Sequence, residues 1–216
     1  MKKHVILVFL LLICSLIHAQ DNTHFHLSVS LGKGNQISKG QYDTAIEKQF
    51  YDDLHKQTAF DLSFGYYLQP QSSLGFEVFL DYSSGQASMA MAEGSLLNGS
   101  LAQCALGVLL NYRFVIDKNV FVIGLGVAYL AYEEQDYASG FNYELNTGAR
   151  GTPAKIKYEY RLSNNFGLGV SATALLGAVT EYTETINGVS TTTTLDSGDA
   201  AGISRWSITV GPRFYF

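Results

Sequence analysis

Apolar and polar residues alternate with a period of two along most of the chain, the pattern of strands that turn one face to an apolar medium. Eight such runs stand out, at about residues 25–32, 58–69, 73–83, 101–116, 120–132, 153–162, 166–182 and 203–216. The second carries Phe60, Leu62, Phe64, Tyr66 and Leu68 on one face; the fifth carries Phe121, Ile123, Leu125, Val127 and Tyr129. The connections alternate too. Residues 70–72, 117–119 and 163–165 are tight turns, whereas 33–57, 84–100, 133–152 and 183–202 are long. An even number of strands with short turns at one end and long loops at the other predicts an antiparallel up-and-down transmembrane β-barrel, with four long loops outside the cell and short turns in the periplasm.

Period two alone does not say whether the apolar face looks into a core or out into lipid. The apolar faces carry no charge, as a bilayer requires, since a cation at its midplane costs about 2–4 kcal/mol. The opposite face is rich in glycine (Gly65, Gly75, Gly107, Gly124, Gly126, Gly167, Gly169, Gly177, Gly211). Glycine weakens a water-exposed strand, but it suits the narrow interior of a small barrel. The aromatics also sort by height. Phe25, Tyr66, Phe76, Tyr112, Phe114, Phe121, Tyr160, Phe166, Phe214 and Phe216 fall near the turns, and Phe60, Tyr82, Tyr129, Tyr182 and Trp206 near the loops. Two aromatic belts around an aliphatic band are expected at the two membrane interfaces. A soluble β-sandwich or lipocalin-like barrel has no reason to sort them.

The N-terminus changes the picture. Met1-Lys2-Lys3-His4, an apolar run from Val5 to Ile13 and a small residue at Ala19 form a secretory signal, so residues 1–19 are expected to be removed and residues 20–216 to form one barrel domain. A retained anchor and a lipoprotein modified at Cys14 are the competing readings. The formal charge of −5 becomes −7 once Lys2 and Lys3 leave, which argues against nucleic acid as a partner. Only Cys104 then remains of two cysteines, so the domain has no internal disulfide. With 21 glycines, 14 tyrosines and 13 phenylalanines but only 3 prolines, the composition favours long strands.

The last run ends on Thr209-Val210-Gly211-Pro212-Arg213-Phe214-Tyr215-Phe216. Here the chain resembles the small eight-stranded outer-membrane barrels of the OmpA/OmpX type, in their barrel domain only. The resemblance spans residues 24–216 and rests on architecture more than on identities. Thr209, Gly211, Phe214 and Phe216 match the polar-x-Gly-x-x-aromatic-x-aromatic ending that such proteins present to the barrel-assembly machinery. It implies a place in the outer membrane of a Gram-negative bacterium, with outer-membrane lipid and lipopolysaccharide around a monomeric chain.

The inward face holds Asp61, Glu77, Asp81, Glu159 and Glu181 against Arg113, Lys155, Lys157, Arg161, Arg205 and Arg213. Buried charges require partners, and this near balance predicts a paired network that fills the lumen rather than an ion path. By register, Glu77 is expected to meet Arg113 near the periplasmic end, and Glu181 to meet Arg205 near the outer end.

Candidates for chemistry are few. His26-Leu27-Ser28 resembles the His-x-Ser pair of barrel lipid A deacylases, but it lies inward at the wrong end of strand one. His55, with Asp52 and Asp53, falls in the first loop and resembles the loop histidine of the acyltransferase barrels, without an accompanying signature. The chain shows no metal-ligand spacing and no phosphate loop, and no cofactor is expected. Glu133, Glu134 and Asp136 form an acidic cluster in the third loop, read as solvated or as a site for divalent cations shared with lipopolysaccharide. Asn187-Gly188, between strand-like runs, is a two-residue hairpin signal that predicts a projecting Thr-rich hairpin. The expected function is therefore non-enzymatic: structural, adhesive or recognition through the outer loops, with an extracellular protein as ligand. A narrow pore or hydrophobic-solute path and a lipid A-modifying enzyme are the alternatives.

Overall fold

The computed structural model describes residues 24–37, 44–69, 73–91, 94–195 and 201–216. The expected signal segment 1–19, the turn 70–72 and part of the first loop lie outside these. The strands are β1 (Phe25–Gln36), β2 (Lys56–Tyr67), β3 (Ser73–Ala90), β4 (Leu96–Ile116), β5 (Asn119–Ala138), β6 (Phe141–Arg161), β7 (Phe166–Val179), β8 (Glu181–Ile186), β9 (Val189–Thr194), β10 (Ala201–Gly202) and β11 (Arg205–Tyr215), with one helix, α1 (Ala45–Leu54), between β1 and β2.

Eight strands close into a ring in the order β1-β2-β3-β4-β5-β6-β7-β11, with every neighbour antiparallel and β11 returning to β1. At the seam Phe25 N–H donates to Phe216 O (2.8 Å) and Phe216 N–H donates to Phe25 O (3.1 Å). Gly211 lies on that seam. A Cβ there would come within 2.0 Å of Val29 O, so β1 and β11 close only over a residue without a side chain.

The predicted parity holds around the ring. Leu31, Phe76, Val78, Leu106, Ile123, Val127, Ile156 and Val210 are exposed on the outside, while Ser28, Asp61, Glu77, Lys155, Thr209 and Arg213 are buried inside. A continuous belt of exposed aliphatic side chains is unstable in water and stable in lipid. Phe25, Tyr66 and Phe216 pack at its periplasmic edge, as do Phe121 with Tyr158 and Phe166 with Phe214.

The outer end departs from expectation. Two of the four long loops are largely strand among the described residues. β3 and β4 continue past the outer belt to Ala90 and Leu96, and β5 and β6 to Ala138 and Phe141. Small residues hid the first of these arms, and they are small for a reason: α1 lies inside it. A Cβ on Gly85 would meet Leu54 O at 2.1 Å, and one on Gly99 would meet Phe50 Cζ at 2.5 Å. The second arm was masked by its charges, although it alternates like any strand.

The helix itself was not expected. Thr44 caps it, its hydroxyl accepting from Glu47 N–H (3.1 Å) while Glu47 accepts from Thr44 N–H (3.0 Å). This is the Thr-x-x-Glu box that starts helices. Phe50 and Leu54, one turn apart, are buried against Phe79, Leu101, Leu130, Leu175 and Ile203, so the outer half of the lumen is an apolar core roofed by α1.

The seventh predicted strand is two. After Val179 the chain bends at Thr180, and β8 leaves the ring to pair with β6. β9 then pairs with β8 through the predicted turn, where Asn187 (φ 48°) and Gly188 (φ 84°) both take the left-handed conformation that a two-residue hairpin requires.

Candidate functional site

Below the apolar core the lumen is filled by ions. Lys155 Nζ lies 2.5 Å from Asp61 Oδ2 and 3.5 Å from Glu77 Oε1. Lys157 Nζ lies 2.5 Å from Glu77 Oε2, which also accepts from Asn111 Nδ2 (2.8 Å). Arg205 is paired with Asp81. Arg213 reaches Glu159 Oε1 (3.3 Å), Ser30 Oγ (2.7 Å) and Ser171 Oγ (2.9 Å), and Tyr215 donates to Glu159 Oε2 (2.8 Å). Glycines make the space: a Cβ on Gly169 would meet Arg213 Nε at 2.9 Å, and one on Gly124 would meet Asn111 Oδ1 at 2.0 Å.

Of the residues expected in this network, Asp61, Glu77, Asp81, Glu159, Lys155, Lys157, Arg205 and Arg213 lie in it together. The expected partners were wrong. Glu77 meets Lys155 and Lys157, while Arg113 lies 3.9 Å from the centre of the Tyr67 ring and donates to Gln69 O (2.8 Å). Arg161 stacks on Tyr215 at the same mouth. Glu181 is not a lumen residue: it is exposed on β8, opposite Thr194, because the bend at Thr180 carries it out of the ring. Arg205 therefore takes Asp81, and Asp61 and Lys155 meet across the barrel from β2 to β6.

This packing leaves little room. The cavity beside Arg205, walled by Leu130, Leu175 and Ile203, holds about 10 Å³, about the space of one water. His26 is buried, with Nε2 3.8 Å from Glu159 Oε1, and Ser28 is bonded to Ser63 (2.7 Å), so each answers to a different neighbour.

Above the outer belt, the arms β3–β4 and β5–β6 and the hairpin β8–β9 form one continuous sheet. Threonine and serine hydroxyls tie the hairpin across its strands, Thr183 to Thr192 (3.0 Å) and Thr185 to Ser190 (2.9 Å). β9 ends the strand order, so its far edge has no strand partner among the described residues.

The acidic cluster of the sequence is split by the strand. Glu133 points outward and is bonded by Gln135 Nε2 (2.6 Å), whereas Glu134 and Asp136 point inward. Among the described residues, no three His, Cys, Asp or Glu side chains gather as a metal site. Burial raises the Glu134 carboxyl, and burial with the nearby Glu134 charge raises that of Asp136 to about 6. Asp136 Oδ1 and the Phe50 ring converge beside Gly99, which puts this carboxyl against the roof helix. His55 closes the C-terminal end of α1, and burial holds its imidazole below the usual value.

No family model matches this sequence, and no curated protein does either. Solved structures match in fold. A major outer membrane protein from Thermus thermophilus aligns with a TM-score of 0.56 at 13% identity, over 89% of this chain and 99% of that one. The outer membrane protease OmpT from Escherichia coli aligns at 0.50 and 10% identity, over 92% and 99%. The attachment invasion locus protein Ail of Yersinia pestis aligns at 0.46 and 12% identity, over 89% and 99%. At such identities the likeness to the first two carries the fold alone. That fold, with the exposed apolar belt between two aromatic rings, is an outer-membrane β-barrel.

Proposed function

We propose that this outer-membrane barrel is a non-enzymatic surface-recognition protein, which binds an extracellular protein partner through the sheet raised above the membrane. The observation that carries this reading is the geometry of the outer end. Two long hairpin arms stand past the outer belt, and β8–β9 widens them into a sheet whose last edge has no strand partner among the described residues. An unpaired edge offers a row of backbone N–H and C=O groups to a strand of a partner, and the side chains beside it set which strand fits. Here those side chains include exposed Ser190, Thr191, Thr192 and Thr194, hydroxyl-bearing and uncharged.

The pore alternative draws no support from a lumen closed twice, by ion pairs below and by the apolar core under α1 above. Assembly is assigned to Thr209, Gly211, Phe214 and Phe216 as the segment read by the barrel-assembly machinery, acting on a monomer. The test replaces residues 181–194 with a short Gly-Ser link and compares binding to a panel of immobilised extracellular-matrix and serum proteins. Loss of binding by a barrel that still shows heat-modifiable migration is expected. Binding equal to that of the intact protein would overturn the reading.

A further inference from the structure

The lipid-facing wall is hollowed at β6 and β7. Thr152 of β6 and Ala178 of β7 are short between Val127 and Leu176, and a groove of about 840 Å³ opens across β4 to β7. At its upper end stands Arg150, opposite Tyr129 in register and therefore level with the outer aromatic belt. Arg150 is exposed, and its guanidinium has no hydrogen-bond or ion-pair partner among the described residues. Of the other outward cations, Lys33 on β1 donates to Thr58 (3.1 Å) and Lys56 on β2 pairs with Asp53 (2.7 Å). A free guanidinium at the edge of a bilayer calls for an anion, and its planar fork suits phosphate.

Directly above the groove, under the overhang of β8, lies a second cleft of about 470 Å³ with a different lining. Tyr82, Tyr129 and Tyr182 wall it, and Glu133, Glu181 and Asn146 give it polar groups. Aromatic faces beside carboxylates and an amide suit the hydroxyls of a sugar. The two carboxylates also repel phosphate, which leaves Arg150 as the place for it. Tyr129 lines both spaces, and its hydroxyl rests on Gly148, where a Cβ would approach it to 2.1 Å. The two are one cleft with three zones: apolar within the membrane, cationic at its surface, polar and aromatic above.

We propose that this cleft seats one phosphorylated, acylated saccharide of the outer leaflet, the lipid A chemistry of lipopolysaccharide, with an acyl chain on Val127 and Leu176, a phosphate on Arg150 and sugar hydroxyls at Glu133 and Asn146. The site differs from the bulk lipid contact that any barrel makes, because the order of its zones matches the order of the ligand's parts. It also differs from the free edge of β9, and either can fail without the other.

The test uses the folded full barrel in neutral maltoside micelles, titrated with diphosphorylated lipid A and followed by native mass spectrometry. R150Q should weaken binding about tenfold or more, the loss expected for a charge-assisted contact to phosphate. V127W, which fills the groove from its exposed side, should weaken it as well, and K33Q should leave it unchanged. Enzymatically dephosphorylated lipid A should bind weakly and lose nothing further in R150Q. Both main variants alter lipid-facing side chains, and heat-modifiable migration checks that they remain folded; R150Q decides if V127W does not. Equal binding by R150Q and the unaltered protein overturns the proposal. So does an equal loss in K33Q, or equal and equally Arg150-dependent binding of phosphatidylglycerol.

Discussion

Phe25 and Phe216 hold each other's backbone: each donates its N–H to the other's carbonyl, at 2.8 and 3.1 Å, and their rings stack with centroids 6.2 Å apart. This pair is the last link of the β1–β11 seam and lies in the periplasmic aromatic belt. Removing Phe216 takes away two closing hydrogen bonds and one belt ring. The expected outcome is impaired assembly with export unaffected: a variant lacking Phe216 should reach the periplasm, yet fail to give the compact heat-modifiable form. A full yield of that form in the membrane fraction would show that the seam closes without it.

Glu77 is the hub of the buried network, facing Lys155, Lys157 and Asn111 at once. Glu77→Gln keeps the shape and leaves two buried ammonium groups short of charge. Breaking a buried pair in this way costs about 3–5 kcal/mol, so the urea midpoint should fall well below that of the unaltered barrel. The exposed pair Lys48–Asp52 on α1 is the control; its loss should leave the midpoint nearly unchanged, because solvent screens such a pair. An unchanged midpoint in the Glu77 variant would show that the network does not hold the barrel.

The roof helix depends on Gly85. A valine there would place its Cβ against Leu54 O, a backbone atom that moves only if α1 moves. Gly85→Val should release α1 while the ring stays closed. Cleavage at Lys48 by trypsin should become fast, with heat-modifiable migration retained. Slow cleavage in the variant would mean that α1 is held from elsewhere.

The roof should also respond to pH. Asp136 has its carboxyl raised to about 6 beside Phe50, first by burial and then by Glu134. An unfolded aspartate titrates near ~3.9. The folded state therefore binds this proton more tightly, so its contribution to stability is complete below about 4 and is lost as pH rises through about 6. Amide exchange in α1, corrected for intrinsic rates, should be slower at pH 5 than at pH 7.5, and Asp136→Asn should flatten the difference. Faster exchange at pH 5 would reverse the sign and refute the assignment.

Strand parity was legible from sequence because it is local: Phe60, Leu62, Phe64 and Tyr66 declare their face without reference to any other strand. The lumen was legible in content but not in pairing. Asp61 and Lys155 meet across the barrel, from β2 to β6, and adjacency in register, the reasoning behind Glu77–Arg113, does not reach across a closed ring. Glu181 was misplaced because period two continues through Thr180 while the backbone bends there. The outer arms were hidden for two reasons. Gly85 and Gly99 weaken a strand signal in order to admit α1, and α1 carries its own Thr44-x-x-Glu47 start, which the sequence displays.

The barrel spans the membrane with its lumen shut, by ion pairs below and by the core under α1 above. Planar-bilayer recording of the purified, folded protein tests this most directly. With the lumen shut, the current should stay at the bare-membrane baseline after insertion at every voltage the bilayer tolerates. Steady single-channel steps from protein verified as heat-modifiable would contradict it.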